Sequence, residues 1–349
     1  MSSRSLKNNR QECDKLDFPN ISNENLMEQY TNTAREHYSQ GNYTEALDLY
    51  EKAREIAEKT LGTDHPDTAQ AYNRIALVYD SQGNYTEALH WYEKVREIAE
   101  KTLGVDHPDT AAAYNNIARV CDDQGNYDEA LHWFEKARKI AEKVYGTDHP
   151  NTATIYDNTA GVYKAQGNYA EALHWYEKAL KIREKALGTD HHETAITYNN
   201  LATVYDDQGN YAEALHLYEK ARKIKEKVLG TNHPDTATTY NNIALIYKNQ
   251  GNYAEALHWY EKSLKSKEKA LGTDHPYTAT TYNNLALVYY SQGNYAKALS
   301  LVTQAYRIYL KVFGENHIVT EETKDGVRFT YTALHGSSAD FDNWLAAQL

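Results

Sequence analysis

The hydrophobic and polar positions along this chain form two helical patterns that alternate from end to end. The first lies between residues 230 and 251, where the apolar or aromatic stripe is Tyr240, Ile243, Ala244 and Tyr247. This i, i+3, i+4, i+7 spacing is typical of one face of an amphipathic helix. The pattern therefore predicts a helix, here called helix A, whose apolar face packs against a neighbour.

The second pattern occupies residues 252–271 and predicts another amphipathic helix, helix B. Its apolar stripe consists of Tyr253, Ala256, Leu257, Tyr260 and Leu264. Both patterns return every 42 residues, and two interleaved glycine series bracket them. The glycines are Gly41, Gly83, Gly125, Gly167, Gly209, Gly251 and Gly293, alternating with Gly62, Gly104, Gly146, Gly188, Gly230, Gly272 and Gly314. A fixed period of this length predicts an array of helix pairs that grows along one axis.

A short polar motif precedes each helix A, first as TDHPDTA at residues 63–69. It places Asp, His and Asp close together, a combination also found in metal sites and proton relays. However, its copies vary at both acidic positions and at the proline, which is His192 in the fourth copy. Proline is favoured at the first position of a helix, and a side-chain acceptor just before it caps free amides. The motif is therefore predicted to be the structural start of helix A, with its histidine held within the turn.

Composition narrows the classes of partner. The net charge of −12 and pI near 5.7 disfavour a nucleic-acid partner, because phosphate binding depends on clustered Lys and Arg. Only Cys13 and Cys121 are present, and the first residues lack the apolar core of a signal peptide. No apolar run is long enough to span a membrane. These features predict a cytoplasmic protein without membrane insertion.

The motif G-N-Y-x-E-A-L, with Tyr, a small residue and Tyr spaced along the preceding helix, resembles the tetratricopeptide repeat, a helix-turn-helix unit usually about 34 residues long. The 42-residue form, with LGTDHPYTATTYNNLA at residues 271–286, is similar to the repeats of kinesin light chain and nephrocystin-3-like proteins. The resemblance implies an all-α, right-handed superhelical solenoid. We expect a flexible tail at residues 1–23, seven repeats at 24–313 and capping helices at 314–349.

Packing roles follow from the same alignment of units. Small residues are predicted to let helices A and B approach closely, and the 31 Tyr, against 5 Phe, to fill wider gaps. Cys121 occupies one of these core positions. The final segment places Phe341, Trp344, Leu345 and Leu349 on one face. A solenoid must cover its last apolar face, so this segment is expected to be a cap, and the alternative is an interaction peptide anchored by Trp344.

In the tetratricopeptide family the A helices line the concave side, which implies a row of inward-facing groove residues. Mapped onto this chain, the candidate peptide-binding residues are Asn32, Arg35, Arg74, Asn116, Arg119, Asn158, Asn200, Asn242 and Asn284. An Asn amide both donates and accepts, so a ladder of them can bond the backbone of an extended peptide. The alternative is that one Asn of each neighbouring pair bonds within the turn or to the adjacent unit.

The predicted function is therefore that of an adaptor that binds an extended, acidic or aromatic-containing segment of a partner. Arg35, Arg74 and Arg119 favour acidic side chains, although several aspartates lie near them. No phosphate loop, nucleophile elbow or H-E-x-x-H motif is present, so neither a cofactor, a metal nor catalysis is expected. Self-association through exposed Trp and His faces of helix B is the main alternative. That histidine series is His90, His132, His174, His216 and His258.

Overall fold

The computed structural model describes residues 22–349, which contain sixteen α-helices and no β-strand. In chain order they are α1 Asn23–Ser39, α2 Tyr43–Leu61, α3 Pro66–Ser81, α4 Tyr85–Thr102, α5 Pro108–Asp123, α6 Tyr127–Tyr145, α7 Pro150–Ala165, α8 Tyr169–Leu187, α9 His192–Asp207, α10 Tyr211–Val228, α11 Pro234–Asn249, α12 Tyr253–Leu271, α13 Pro276–Ser291, α14 Tyr295–Phe313, α15 Ile318–His335 and α16 Phe341–Gln348. Odd-numbered helices up to α13 are the A helices and even-numbered helices up to α14 are the B helices. The pairs α1–α2 to α13–α14 are repeats 1 to 7.

Each helix packs mainly against the helices before and after it in the chain, as expected of a repeat array. The small residues predicted at the crossing of helices A and B are all buried, with at most 4% of their surface exposed. They are Ala34, Ala46, Ala76, Ala88, Ala118, Ala130, Ala160, Ala172, Ala202, Ala214, Ala244, Ala256, Ala286 and Ala298. The predicted all-α array of helix pairs is confirmed.

The polar motif before each A helix is the structural start that its sequence predicts. Its histidine is the N-cap of helices α3, α5, α7, α9, α11, α13 and α15. In each case histidine Nδ1 accepts a backbone N–H two residues later, at 3.1–3.2 Å. Where the first Asp is present, it pairs with a Lys on helix B of the repeat that the motif begins, as Asp148 does with Lys185 at 2.7 Å. The histidine and the first aspartate of the motif thus have structural roles at the start of helix A.

The excess of Tyr over Phe has a specific cause, because many of the hydroxyl groups are used. In repeats 2 to 7, a Tyr of helix A donates a hydrogen bond to a Glu of the preceding helix B. The bond from Tyr114 to Glu100 is 2.8 Å long, and that from Tyr240 to Glu226 is 2.6 Å. Phe at these positions would fill the same space but leave the Glu without this donor.

The tryptophans of helix B differ from the expectation that they form exposed faces. Trp91 is buried, and Trp133, Trp175 and Trp259 are half-buried. Each ring is covered by two cations of the chain itself, as Trp133 is by Lys136 at 4.1 Å and an Arg of the preceding repeat at 5.7 Å. Cation–π contacts of this kind hold adjacent B helices together and leave little free ring surface.

The C-terminal helices continue the array. Phe341 and Leu345 of α16 are buried, and the half-buried Trp344 ring lies 5.0 Å from that of Tyr331 on α15. Leu349, by contrast, is 62% exposed. At the other end, Ser22 is the N-cap of α1, and the rest of the expected tail, residues 1–21, lies outside the described residues.

Cys121 is a buried core residue, as predicted, and its burial raises the pKa of its thiol to about 11. Cys13 lies outside the described part of the chain. Across residues 22–349, none of the helices combines the length and the apolar character that crossing a membrane requires.

Candidate functional site

The candidate groove residues lie on the A helices of all seven repeats. Asn32, Arg35 and Arg119 are exposed, whereas the other six are half-buried. Those six are Arg74, Asn116, Asn158, Asn200, Asn242 and Asn284. They therefore form a row that solvent reaches only in part.

The asparagine pairs are used to join neighbouring repeats, which was one of the two possibilities left open by the sequence. The side-chain amide of Asn116 donates to Oδ1 of Asn73, one repeat earlier, at 3.0 Å. The same bond links Asn158 to Asn115 at 2.8 Å. It recurs from Asn242 to Asn199 at 3.5 Å and from Asn284 to Asn241 at 3.0 Å. Each donor amide keeps its own Oδ1 and a second N–H that these bonds do not use.

The three arginines predicted to form one basic patch are divided by the structure. Arg35 and Arg74 are close enough for the charge of Arg35 to add to the burial that lowers the pKa of Arg74. Arg119 instead lies 3.7 Å from Asp80, which offsets its charge. Of the three arginines, Arg35 and Arg74 are thus near each other, and Asp67 also lies near Arg74.

A hollow of about 330 Å³ opens between α3, α4 and α5, where repeats 2 and 3 meet. Arg74 and Asn116 line it, so two of the candidate residues share one concave site. Its other lining residues are Pro66, Ala69, Gln70, Asn73, Val95, Ile98, Ala99, Thr102, Leu103, Asp109, Ala112 and Ala113. The walls are mainly apolar with a few polar groups, which is the usual character of a ligand pocket.

The hollow exists because several small residues coincide. Ala99 of helix B faces Ala112 and Ala113 of the next helix A. At the position of Ala99, repeats 4 to 7 carry Arg183, Lys225, Lys267 and Tyr309. These larger side chains reach the following or adjacent A helix and fill the corresponding space themselves.

In repeat 4 the filling side chain is the buried Arg183, which is paired with Asp157 on its own repeat's helix A. Its guanidinium also donates to Thr154 Oγ1 at 3.1 Å. In repeats 5 and 6, Lys225 and Lys267 donate to threonines of the next A helix at 3.1 and 3.0 Å. The sequence analysis did not single out this helix B position, although the sequence shows the change from Ala99 to Arg183, Lys225 and Lys267 at equivalent places.

An acidic edge lies toward the C-terminal ends of the A helices. Burial raises the pKa of Asp80, Asp122 and Asp206. For Asp122 the value is about 6, and the like charge of the exposed Asp123 adds to the effect. Lys164 partly offsets this charge. The A-helix surface therefore carries Arg35 and Arg74 in repeats 1 and 2, and aspartates toward the C-terminal ends of its helices.

The described residues offer no arrangement for metal chemistry. Within residues 22–349, no three His, Cys, Asp or Glu side chains are grouped so that they could hold a metal ion. The helix B histidines are exposed, with one in each of repeats 2 to 6. What the site offers is a pocket with amide and guanidinium groups, which suits recognition of another molecule.

Among solved structures, this chain is similar to other helical repeat proteins. The crystal structure of BtubC (BKLC) from P. vanneervenii is 21% identical over 72% of this chain and 94% of its own, with a TM-score of 0.50. A kinesin light chain candidate from Podosopora anserina with nearly identical TPR-like repeats is 28% identical over 59% and 97% of the two chains, with a TM-score of 0.46. The Rap conjugation gene regulator of the plasmid pLS20, solved in complex with the Phr* peptide, is 18% identical over 83% and 75%, with a TM-score of 0.60. No curated protein matches the chain.

A protein-family model described as tetratricopeptide repeat matches six overlapping segments. They are residues 31–101, 71–143, 109–185, 159–227, 193–269 and 235–311. Together they cover most of the chain and most of the seven helix pairs, so the resemblance predicted from the sequence is confirmed. The chain belongs to the tetratricopeptide repeat family.

Proposed function

We propose that this protein is a binding scaffold whose A-helix surface takes an extended peptide segment of a protein partner, anchored between repeats 2 and 3. The observation that carries the proposal is Arg74, a half-buried guanidinium in the wall of the hollow. Burial lowers the pKa of Arg74, which means that its charge is poorly solvated. A carboxylate from a partner would compensate the desolvated charge of Arg74 and accept charge-assisted hydrogen bonds from its guanidinium.

The shape of the hollow favours a second feature of the ligand. Val95, Ile98 and Leu103 provide an apolar wall, and the volume of about 330 Å³ is enough for an aromatic or branched apolar side chain. Asn116 lies beside this wall, and its Oδ1 and second N–H, which the bond to Asn73 does not use, suit the backbone of the same segment. We therefore expect a ligand in which an apolar residue is followed or preceded by acidic ones.

The fold also supports a binding role. The Rap regulator has a similar fold and was solved with a peptide bound to it. In this chain, the motif most suggestive of catalysis is engaged in helix capping and in ion pairs with the helix B that follows it. Self-association through helix B is less favoured, because cations of the chain itself cover the tryptophan rings.

Selection from a displayed library of random peptides tests the proposal. Enriched peptides are synthesised with a fluorescent label, and their anisotropy is titrated with wild type and with Arg74→Gln. Loss of a charge-assisted hydrogen bond should weaken binding by about 10-fold to 100-fold. The matched control is Lys139→Gln, an exposed cation on helix α6, which should bind as wild type does. Equal affinity of wild type and Arg74→Gln would refute the proposed site.

A further inference from the structure

The two ends of the array touch each other across more than 200 residues of sequence. His317, the N-cap of α15, places Nε2 3.0 Å from the backbone oxygen of Gln82 in the turn of repeat 2. The ring of Tyr43 in repeat 1 stacks against Phe313 at the end of repeat 7, with centroids 6.3 Å apart and planes 23° apart. Neighbouring repeats alone do not require either contact.

Burial at otherwise equivalent turns shows the extent of this contact. In the turn between helices A and B, Gly41 is buried and Gly83 is half-buried, whereas the five later equivalents are exposed. The later glycines are Gly125, Gly167, Gly209, Gly251 and Gly293. A Cβ at Gly41 would lie 3.0 Å from Pro276, and one at Gly83 would lie 2.9 Å from His317. Among the seven capping histidines, only His275, which faces Gly41, is buried.

Two departures from the repeat pattern lie in or beside this end-to-end contact. Where repeats 2 to 6 begin helix A with Asp, Asn or Glu after the proline position, repeat 7 has Tyr277. Tyr277 directly follows His275 and Pro276, which lie against Gly41, although its own side chain is 61% exposed.

At the position just before the glycine that follows helix B, the six earlier repeats carry Leu or Tyr, whereas repeat 7 has Phe313. Phe313 stacks on Tyr43. Phe313 also stacks on His317, the next capping histidine, at 4.6 Å, as Tyr145 does on His149 at 4.9 Å. The contact of Phe313 with Tyr43 therefore adds an end-to-end role to a local one.

We propose that these contacts form a latch, made of the turns of repeats 1 and 2 on one side and residues 275–277, Phe313 and His317 on the other, which holds the array closed and controls entry of a peptide to the A-helix surface. The part concerning entry rests on the proposed function. In a solenoid each repeat contacts only its neighbours, so small rotations accumulate along the chain and separate the ends readily. A contact formed by loop edges, one hydrogen bond and one ring stack is suited to opening and closing.

Glycine variants give a closely matched test of the latch. Gly83→Ala and Gly125→Ala both place a side chain at positive φ, +71° and +76°, and so share the same backbone strain. Only the Cβ at residue 83 collides with His317, because nothing lies within 4 Å of the one at residue 125. By small-angle X-ray scattering, Gly83→Ala should show a larger radius of gyration than Gly125→Ala, with equal helix content by circular dichroism.

A second variant avoids backbone strain. Tyr277→Asp with Phe313→Leu restores the residue types of other repeats and should expand the molecule in the same way. If Gly83→Ala, Gly125→Ala and the double variant all scatter as wild type does, the latch does not exist. This readout needs no ligand, so it is independent of the proposed function.

The entry step is tested with a peptide selected on wild type. Stopped-flow association should be faster for the double variant than for wild type, because the open state no longer has to form first. An expanded double variant with an unchanged association rate would overturn the role in entry while leaving the latch in place. Failure to select any peptide would instead count against the proposed function.

Discussion

The side-chain amide of Asn116 donates a 3.0 Å hydrogen bond to Oδ1 of Asn73, one repeat earlier, and both residues line the hollow between repeats 2 and 3. The bond thus ties two repeats together at the place proposed for a ligand. Asn116 has a structural role and, through its second N–H and its carbonyl, groups available for binding. Its structural role and its proposed role in binding can be separated by comparison with an equivalent asparagine pair outside the hollow.

Asn158 supplies that comparison, because it bonds Asn115 in the same way at 2.8 Å and does not line the hollow. Asn116→Ala and Asn158→Ala should each cost about 1 kcal/mol, since each removes one hydrogen bond. Urea denaturation measures that cost. Only Asn116→Ala should also weaken a selected peptide. Equal weakening by both variants would mean that stability, not contact, governs binding.

The buried pair of Arg183 and Asp157 should be costly to break. Asp157→Asn leaves the guanidinium buried without a counter-charge, and such changes cost about 3–5 kcal/mol. Adding Arg183→Ala recreates the Asn115 and Ala141 combination that repeat 3 carries naturally. The double variant should therefore unfold at a higher urea concentration than Asp157→Asn alone. A lower urea midpoint for the double variant than for Asp157→Asn alone would contradict the view that the unpaired Arg183 causes the loss of stability.

Lys267 predicts a specific dependence of stability on pH. Burial lowers the pKa of Lys267 to about 8, whereas an unfolded Lys titrates near 10.4. Between these values the unfolded chain holds a proton that the folded chain has lost, so stability rises with pH from about 8 to 10. Cys121 and the tyrosines, whose pKa values are raised by burial, act in the opposite direction as the unfolded thiol and phenols ionise at about pH 8.5 and 10. The contribution of Lys267 is therefore measured as the difference between variant and wild type. The melting temperature of Lys267→Met should rise less between about pH 8 and 10 than that of wild type. Parallel curves of melting temperature against pH for the two proteins would contradict this role of Lys267.

The capping role of the motif histidine can be tested at His107, whose Nδ1 accepts the Asp109 N–H at 3.2 Å. His107→Ala should cost about 1 kcal/mol, because the first turn of α5 loses its cap. His107→Asn should keep most of the stability, since Asn is a good N-cap. Thermal unfolding of the three proteins decides the matter. If Asn rescues nothing, the histidine has a role other than capping.

The sequence predicts the helices, their joints and the closely packed alanines well, because each depends on contacts within one repeat or between neighbours. Nearly every repeat has an equivalent of the alanine pair Ala118 and Ala130 and of the His107–Pro108 joint. This recurrence indicates that both have a structural role. It also predicts that the asparagines matter, but not that Asn116 bonds Asn73. That choice depends on the distance between adjacent A helices, which the residue pattern does not contain.

Two other features lay beyond the reach of the sequence for different reasons. The hollow depends on small residues at three positions, Ala99, Ala112 and Ala113, that are close only in the folded array. The contact between Gln82 and His317 depends on the rotation between repeats, summed over five of them. No local pattern sets that sum, although Tyr277 and Phe313 are two of the places where the sequence departs from the repeat pattern.

The central claim is that the hollow between repeats 2 and 3 holds a partner's side chain, and Ala99→Leu tests it most directly. The added side chain occupies the space that Arg183 fills in repeat 4, so the fold should keep or slightly raise its melting temperature. The affinity of a peptide selected on wild type should fall by at least about tenfold, which corresponds to ~1.4 kcal/mol. Unchanged affinity in a folded Ala99→Leu protein would contradict the account, because a ligand that binds equally to the filled and the open hollow does not use it.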